Sequence, residues 1–275
     1  PCPAAPTSTL TACPTHCSSV HCPWAHRTVI FRLLKGLTDK ISLSVVHWHM
    51  AENGWTFAEG EGVIADPIHQ ASYMHQVYTA AAADFSGRVT IPVLWDKQQH
   101  TIVSNESSEI IRMFNSAFDG VGALAGDYYP EALRGEIDEV NARVYATVNN
   151  GVYRSGFATT QEAYEEAVGE LFATLDWLEA RLQGHPYLCG DQLTEADWRL
   201  FTTLIRFDAV YHYHFKCNWR RIRDYPRLFD LMSRLYKTPG VADTVHLDHS
   251  KNHCFGSHLS INPTGIVPTG PLTPI

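Results

Sequence analysis

The chain has 275 residues, of which 45% are hydrophobic, and it carries a formal net charge of -8. This negative charge leaves no basic surplus to neutralise phosphate groups, so we expect no nucleic-acid partner. No apolar run approaches the roughly 20 residues of a membrane-spanning helix, so we expect no membrane partner either. This length and hydrophobic content are typical of two globular domains.

The seven cysteines indicate an intracellular thiol protein. Their number is odd, and they are spread from Cys2 to Cys254 without a repeating spacing. This pattern fits reduced thiols in a cytoplasmic protein better than a disulfide framework. At least one of these thiols is therefore a candidate for chemistry.

The first part of the chain predicts an irregular lead-in and then a helix and a strand. Residues 1–21 are rich in Pro, Cys, Ser and Thr and show no apolar period, so we expect an irregular lead-in. Pro23 and the apolar residues that follow at helical spacing, up to Gly36, predict a helix that begins directly after Cys22. Alternating residues at 41–45 then predict a strand.

The following segments complete a predicted first domain. Residues 67–84 favour a helix, and residues 88–95 and 101–104 favour the two strands of an antiparallel hairpin. A further helix is expected to begin near Asn105. We therefore predict a domain over residues 22–120, followed by a glycine-rich linker.

The second half of the chain predicts an all-α domain over residues 127–245. Thr194 and Asp197 have the spacing of a capping box at a helix start. Residues 246–275 become polar and then dense in proline and glycine, which predicts an extended C-terminal segment. One long helix is indicated by an apolar stripe formed by Tyr164, Val168, Leu171, Leu175, Leu178 and Leu182.

Six segments carry a resemblance to a known family. They are 22–28 (CPWAHRT), 52–57 (ENGWTF), 86–96 (SGRVTIPVLWD), 104–107 (SNES), 215–218 (FKCN) and 260–268 (SINPTGIVP). In this order they resemble the Xi class of glutathione transferases, the glutathionyl-hydroquinone reductases. The resemblance implies an α/β plus all-α architecture: a thioredoxin-like N-terminal domain followed by an all-helical glutathione transferase C-terminal domain. It also implies a homodimer, glutathione as co-substrate, quinone-derived aromatic molecules as partners, and no metal.

Cys22 is the predicted catalytic residue. A helix N-terminus offers N–H groups without intrahelical acceptors and a positive dipole end, and both favour the thiolate form. Ala25 stands where thioredoxin-like proteins carry a second cysteine, so a second glutathione must complete the reaction. The resemblance implies that Cys22 attacks the sulfur of a glutathionyl-hydroquinone, keeps glutathione as a mixed disulfide, and then releases glutathione disulfide.

The predicted glutathione site has five residues: Trp55, Arg88, Ile91, Glu106 and Ser107. Glu106 and Ser107 open a helix, where N–H groups and the Ser107 hydroxyl suit the γ-glutamyl carboxylate and Glu106 suits the ammonium. The resemblance implies a cis peptide before Pro92 that turns the Ile91 backbone toward the cysteinyl part. It also implies that Trp55 and Arg88 contact the peptide and glycyl end.

Three tyrosines are candidates for binding the aromatic substrate. A hydroquinone site needs stacking faces and a phenol that can hydrogen-bond the substrate oxygen. Tyr153 is the first candidate, and Tyr129 and Tyr211 are weaker ones. Ordinary core packing remains an alternative role for each of them.

Two other functions stay open at this point. The resemblance does not extend to the segment before Cys22, so a glutathione transferase-like binding or scaffold protein without reductase activity is one alternative. A zinc protein is another, since both cysteine and histidine are good ligands. The candidate ligands are Cys13, His16, Cys17, His21, Cys22 and His26, and, near the C-terminus, His246, His249, His253 and His258.

Overall fold

The computed structural model describes residues 15–19 and 21–271. The chain separates into two units, the first ending at Gly126 and the second beginning at Asp127. Along the described ranges, none of the helices combines the length and the apolar character that crossing a membrane requires.

The first unit contains a four-stranded mixed sheet. The strands have the order β2-β1-β3-β4; β1 is parallel to β2 and antiparallel to β3, and β3 and β4 form a hairpin. A parallel pair requires a crossover, and α1 provides it, which gives the thioredoxin-like arrangement that the resemblance implies. The elements are β1 (Thr15–Ser18), α1 (Pro23–Leu34), β2 (Ser42–Val45), α2 (Met74–Ala81), β3 (Val93–Asp96), β4 (Thr101–Ser104) and α3 (Ser107–Ser116).

Strand β1 corrects the prediction of an irregular lead-in over residues 1–21. Thr15–Ser18 pair with β2 on one side and with β3 on the other. Pairing on both sides satisfies the backbone N–H and C=O groups, so the segment is extended without an apolar alternation in its sequence. Residues 1–14 of the predicted lead-in lie outside the described residues.

Two further elements of the first unit are shorter than predicted. The strand expected over 88–95 is confined to β3, because Pro92 has no N–H to donate and confines pairing to the residues after it. The helix expected over 67–84 is confined to α2. Before α2, the Asp66 carboxylate accepts the N–H groups of Ile68 and His69 at 3.1 and 3.0 Å, which holds a turn instead of a helix.

The second unit is all-α, as the sequence predicts. The apolar stripe lies on α6 (Gln161–Arg181), and its Val168, Leu171, Leu175 and Leu178 are buried. Two π-helical turns, Tyr145–Asn149 and Phe207–Tyr211, interrupt the helical path. The remaining helices are α4 (Arg134–Val144), α5 (Gly151–Gly156), α7 (Glu195–Arg206), α8 (His212–His214), α9 (Pro226–Tyr236) and α10 (Leu247–Ser257).

The capping box at the start of α7 is confirmed. The Asp197 carboxylate accepts the N–H of Thr194 at 2.9 Å and the N–H of Leu188 at 2.8 Å. Asp197 is fully buried, and this burial raises the pKa of its carboxyl to about 6. The box therefore fixes both the helix start and the loop before it.

Helix α10 corrects the prediction of an extended segment over residues 246–275. Only the part after Ser257 lacks helix, up to the last described residue, Pro271. Helix forms because one face of this polar segment is buried: Cys254 is 7% and Phe255 1% exposed. Packing of this face stabilises the helix, although the sequence shows only a weak apolar pattern there.

Candidate active site

Cys22 occupies the N-cap position of α1, and Pro23 is the first helical residue. The Cys22 carbonyl accepts the first helical N–H, that of His26, at 2.9 Å. The side chain of Cys22 is half-buried, and α1 has no acidic residue within its first turn. The sequence prediction that Cys22 begins a helix is therefore confirmed.

An apolar cluster of the first unit brings together Cys22 and two of the predicted glutathione residues. Ile91 is a buried member of the cluster, while Cys22 and Trp55 are partly buried against it. The Ile91–Pro92 peptide is cis, as the resemblance implies. The Trp55 carbonyl accepts the N–H of Met74 at 2.9 Å, which ties the long loop before α2 to that helix. Cys22, Trp55 and Ile91 thus share one cluster.

Glu106 and Ser107 lie at the start of α3, as predicted. Glu106 is the exposed N-cap residue, and its N–H is donated to the Ser104 hydroxyl oxygen at 3.0 Å. Ser107 is buried, and its hydroxyl oxygen lies 3.5 Å from an Arg27 guanidinium nitrogen of α1. Arg88 is exposed on the loop that leads to β3.

A polar network that the sequence did not indicate joins the loop of Ile91 to the start of α3. The Asn105 amide donates to the Tyr78 hydroxyl and to the Thr90 hydroxyl, both at 3.2 Å. The Tyr78 hydroxyl in turn donates to the Thr90 carbonyl at 2.8 Å. Thr90 directly precedes Ile91 and Asn105 directly precedes Glu106, so the network holds two predicted glutathione residues in a fixed relation. These contacts join residues up to 27 positions apart in sequence, and no local sequence pattern predicts them.

Two of the three predicted tyrosines lie together in the second unit. Tyr153 follows one π-helical turn and Tyr211 ends the other, and their ring centroids are 6.1 Å apart. Phe215 lies 5.2 Å from Tyr153 and stacks on Tyr211 at 5.5 Å. Such π-helical turns occur frequently at functional sites. The hydroxyl of Tyr129 is instead engaged by Asp138 at 2.7 Å.

Histidines extend this aromatic cluster, and the sequence had singled out only one of them, His258, as a possible metal ligand. The Nε2 atom of His214 lies 3.1 Å from Nδ1 of His258, and the His258 ring stacks on Phe215. Burial lowers the pKa of both imidazoles to about 4. Both rings are therefore neutral at pH 7, so their shared hydrogen bond has one N–H donor and one ring acceptor.

The described cysteines of the second unit differ from Cys22. Burial raises the pKa of Cys189 to about 11 and that of Cys217 to about 12. Cys254 is buried in α10. Because the thiolate is the nucleophile, raised pKa values make Cys189 and Cys217 poor candidates for catalysis.

No group of three or more His, Cys, Asp or Glu side chains within the described residues is arranged to hold a metal ion. Cys13, and the side chains of His16 and Cys17, lie outside the described part of the structure. The zinc alternative therefore has no support from the four candidate histidines near the C-terminus, which all lie within the described residues.

Two family models and several known proteins are similar to this chain. The model described as glutathione S-transferase, N-terminal domain, matches residues 21–117, and that of the C-terminal domain matches residues 161–234. The glutathionyl-hydroquinone reductase PcpF of Sphingobium chlorophenolicum is 63% identical over 92% of this chain and 81% of its own length. The glutathionyl-hydroquinone reductase YqjG of Escherichia coli is 59% identical over 92% of this chain and 77% of its own length.

Solved structures show the same similarity. The glutathione-bound structure of YqjG from E. coli superposes with a TM-score of 0.93 at 57% identity and covers 94% of this chain and 85% of that chain. The glutathione S-transferase Xi of Phanerochaete chrysosporium superposes with a TM-score of 0.92 at 52% identity and covers 95% of this chain and 91% of that chain. From its sequence and its fold, the chain belongs to the Xi-class glutathione transferases, the enzyme family of the glutathionyl-hydroquinone reductases.

Proposed function

We propose that this protein reduces glutathionyl-hydroquinones to hydroquinones, with Cys22 as the nucleophile and glutathione as the reductant. The observation that carries the proposal is the position of Cys22 at the N-cap of α1, half-buried against the apolar cluster that includes Ile91 and against which Trp55 also packs. A thiol at a helix N-terminus is favoured in its thiolate form, because first-turn N–H groups and the helix dipole stabilise negative charge. Two relatives named glutathionyl-hydroquinone reductases support the choice of substrate.

In the first step, the Cys22 thiolate attacks the glutathione sulfur of the substrate. A sulfur–sulfur bond forms and the bond between that sulfur and the aromatic carbon breaks. The electron pair leaves with the aromatic carbon, which takes up a proton and gives the hydroquinone. Cys22 is left in a mixed disulfide with glutathione, so the aromatic substrate is reduced and the two sulfurs are oxidised.

In the second step, the thiolate of a free glutathione attacks the glutathione sulfur of the mixed disulfide. Glutathione disulfide leaves, and the Cys22 thiolate is regenerated. Ala25 occupies the position where a second cysteine of a C-x-x-C motif would stand, so no intramolecular resolution is available there. The overall reaction consumes one glutathione for each hydroquinone that is released.

We assign the glutathione site to the first unit. The N-terminus of α3 binds the γ-glutamyl carboxylate through backbone N–H groups and the Ser107 hydroxyl, and Glu106 pairs with the ammonium. The Ile91 backbone binds the cysteinyl part, and Trp55 and Arg88 bind the glycyl end. The network of Asn105, Tyr78 and Thr90 supports this assignment, because it fixes the two segments that carry Ile91 and Glu106.

The hydroquinone ring is proposed to bind at Tyr153 and Tyr211. Aromatic faces at offset distances suit a planar ring, and the Tyr153 phenol suits a substrate oxygen. The cluster with Phe215 and His258 supports this choice. Tyr129 is the weakest candidate, because its hydroxyl is engaged by Asp138. Cytoplasmic location and the homodimer remain predictions.

Replacing Cys22 tests the proposal. We expect Cys22→Ala to lower kcat for hydroquinone release by about a thousandfold or more, because the variant lacks the thiol on which the mixed disulfide is proposed to form. Hydroquinone and glutathione disulfide are measured by liquid chromatography. Cys189→Ala is the matched control and should keep its activity, since that thiol is buried with a pKa near 11. Equal turnover by Cys22→Ala would refute the assigned nucleophile.

A second measurement tests the intermediate directly. The protein is incubated with a glutathionyl-hydroquinone in the absence of free glutathione, digested, and its peptides are weighed by mass spectrometry. One glutathione adduct on the Cys22 peptide is expected, and free glutathione should remove it. An adduct confined to any other cysteine contradicts the mechanism.

A further inference from the structure

Ser19 lies directly after β1 and is completely buried. Its hydroxyl oxygen accepts the N–H of His21 at 3.2 Å and the N–H of Cys22 at 3.1 Å. The same oxygen lies 2.7 Å from Nδ1 of the His21 ring. One hydroxyl group therefore contacts both residues that lead into α1.

The three contacts of the Ser19 hydroxyl fix the direction of each hydrogen bond. A hydroxyl oxygen has two lone pairs and one hydrogen. The two backbone N–H groups use both lone pairs, so the contact with His21 must use the hydroxyl hydrogen. Nδ1 of His21 is then the acceptor, and the neutral ring carries its proton on Nε2.

The His21 ring connects this turn to a predicted glutathione residue. Its centroid lies 5.0 Å from that of Trp55, and His21 is buried. We propose that Ser19 is a positioning residue for Cys22, holding the backbone of the catalytic turn and fixing the tautomer of His21 against Trp55. This inference rests on the proposed function in one respect, since it takes Cys22 as the nucleophile.

Ser18 provides a matched control in the neighbouring position. It is buried to the same extent as Ser19, yet its hydroxyl has no hydrogen-bond partner among the described residues. Replacement of Ser18 by alanine removes a hydroxyl group without removing a bond to the catalytic turn. An effect seen for Ser19 and not for Ser18 must therefore come from the contacts of Ser19 and not from the loss of a buried hydroxyl group as such.

Alkylation of Cys22 by iodoacetamide, followed on its peptide by mass spectrometry across pH, tests the proposal without using the substrate. Ser19→Ala should slow alkylation at pH 7 and lower kcat by about tenfold with little change in KM, because the turn loses two backbone hydrogen bonds. Ser19→Thr keeps a hydroxyl group, so its alkylation rate and kcat should lie within about twofold of the wild-type values. Ser18→Ala should also stay within about twofold of the wild type in both. Unchanged alkylation and kcat in Ser19→Ala would overturn the proposal.

The tautomer of His21 is measured on the unmodified protein. Long-range nitrogen–proton correlation spectra of 15N-labelled protein should show the Nε2–H form for His21. An Nδ1–H form contradicts the proposal, and this result stands even where Ser19→Ala fails to fold. If Cys22→Ala kept its activity, the proposed function would fail, whereas alkylation and the tautomer would still decide the role of Ser19.

Discussion

The two units contain helix N-termini of opposite character. Helix α7 of the second unit has two acidic residues in its first turn and a complete capping box from Thr194 and Asp197. Helix α1 of the first unit has a cysteine as its N-cap and no acidic residue within its first turn. Carboxylates in the first turn neutralise the positive end of a helix. The positive end of α7 is therefore neutralised by residues of that helix, whereas α1 keeps a positive end next to the thiol of Cys22.

The difference shows how one fold separates stability from chemistry. In the second unit, the polar groups at the start of α7 form hydrogen bonds within the protein. The thiols of Cys189 and Cys217 are buried and have raised pKa values. In the first unit, the support for the cysteine comes from outside the helix, from Ser19. A change at the start of α7 should therefore affect folding, and a change at the Cys22 turn should affect reactivity.

Removing the α7 carboxylate should give the largest stability effect. Asp197→Ala leaves the buried N–H groups of Leu188 and Thr194 without an acceptor, so we expect a loss of about 3 kcal/mol in the free energy of unfolding. Urea denaturation measures it, and Asp191→Ala, an exposed carboxylate in the same region, should leave the midpoint unchanged. The rate of Cys22 alkylation in the folded variant should match the wild type. A changed alkylation rate would contradict the view that the start of α7 serves folding and not the reactivity of Cys22.

Adding one methyl group to the aromatic cluster should have the next largest effect. A Cβ atom at Gly156 would lie 2.1 Å from Cδ1 of the Phe215 ring, so Gly156→Ala should lower the free energy of unfolding by about 1–3 kcal/mol and raise KM for the glutathionyl-hydroquinone. Gly169→Ala is the control, because an added Cβ atom there would meet nothing within 4 Å apart from the adjacent part of its own helix. It should stabilise α6 by roughly 0.5–1 kcal/mol, because alanine favours the helix. Equal effects of the two substitutions on urea denaturation would contradict the packing seen at Phe215.

Acidification should weaken the second unit through its histidine pair. His214 and His258 have a pKa of about 4 in the folded protein against about 6.5 when unfolded, so the unfolded state binds more protons between these values. The contribution of each imidazole to the free energy of unfolding is therefore complete above about pH 6.5 and decreases as the pH is lowered toward 4. At pH 5.5 the decrease is about 1 kcal/mol for each imidazole.

Asp197 has the opposite pH dependence, because its folded pKa is raised from 3.8 to about 6. The part of the stability that is linked to its protonation therefore decreases as the pH rises from about 4 through 6, while its hydrogen bonds to Leu188 and Thr194 remain. The histidine effect is therefore measured as a difference between the wild type and His258→Gln. Urea midpoints at pH 7.5 and 5.5 should fall less in the variant than in the wild type. An equal fall would show that the pair does not exist in its neutral form.

Several elements of this protein follow from signals between residues that are close in sequence. Pro23 after Cys22 fixed the start of α1, Thr194 and Asp197 fixed the start of α7, and the apolar stripe fixed α6, since each depends on residues close in sequence. The motifs from Cys22 to Pro268 also indicated the family. Such local signals report hydrogen bonds and side-chain spacing within a single element.

Tertiary structure alone decided the remaining features. Strand β1 exists because two neighbouring strands pair with it, and α10 exists because Cys254 and Phe255 are buried. The link of Asn105 to Tyr78, and that of His214 to His258, join residues 27 and 44 positions apart. No local pattern encodes these contacts, because their free energy is gained only after the distant segments have been brought together by folding.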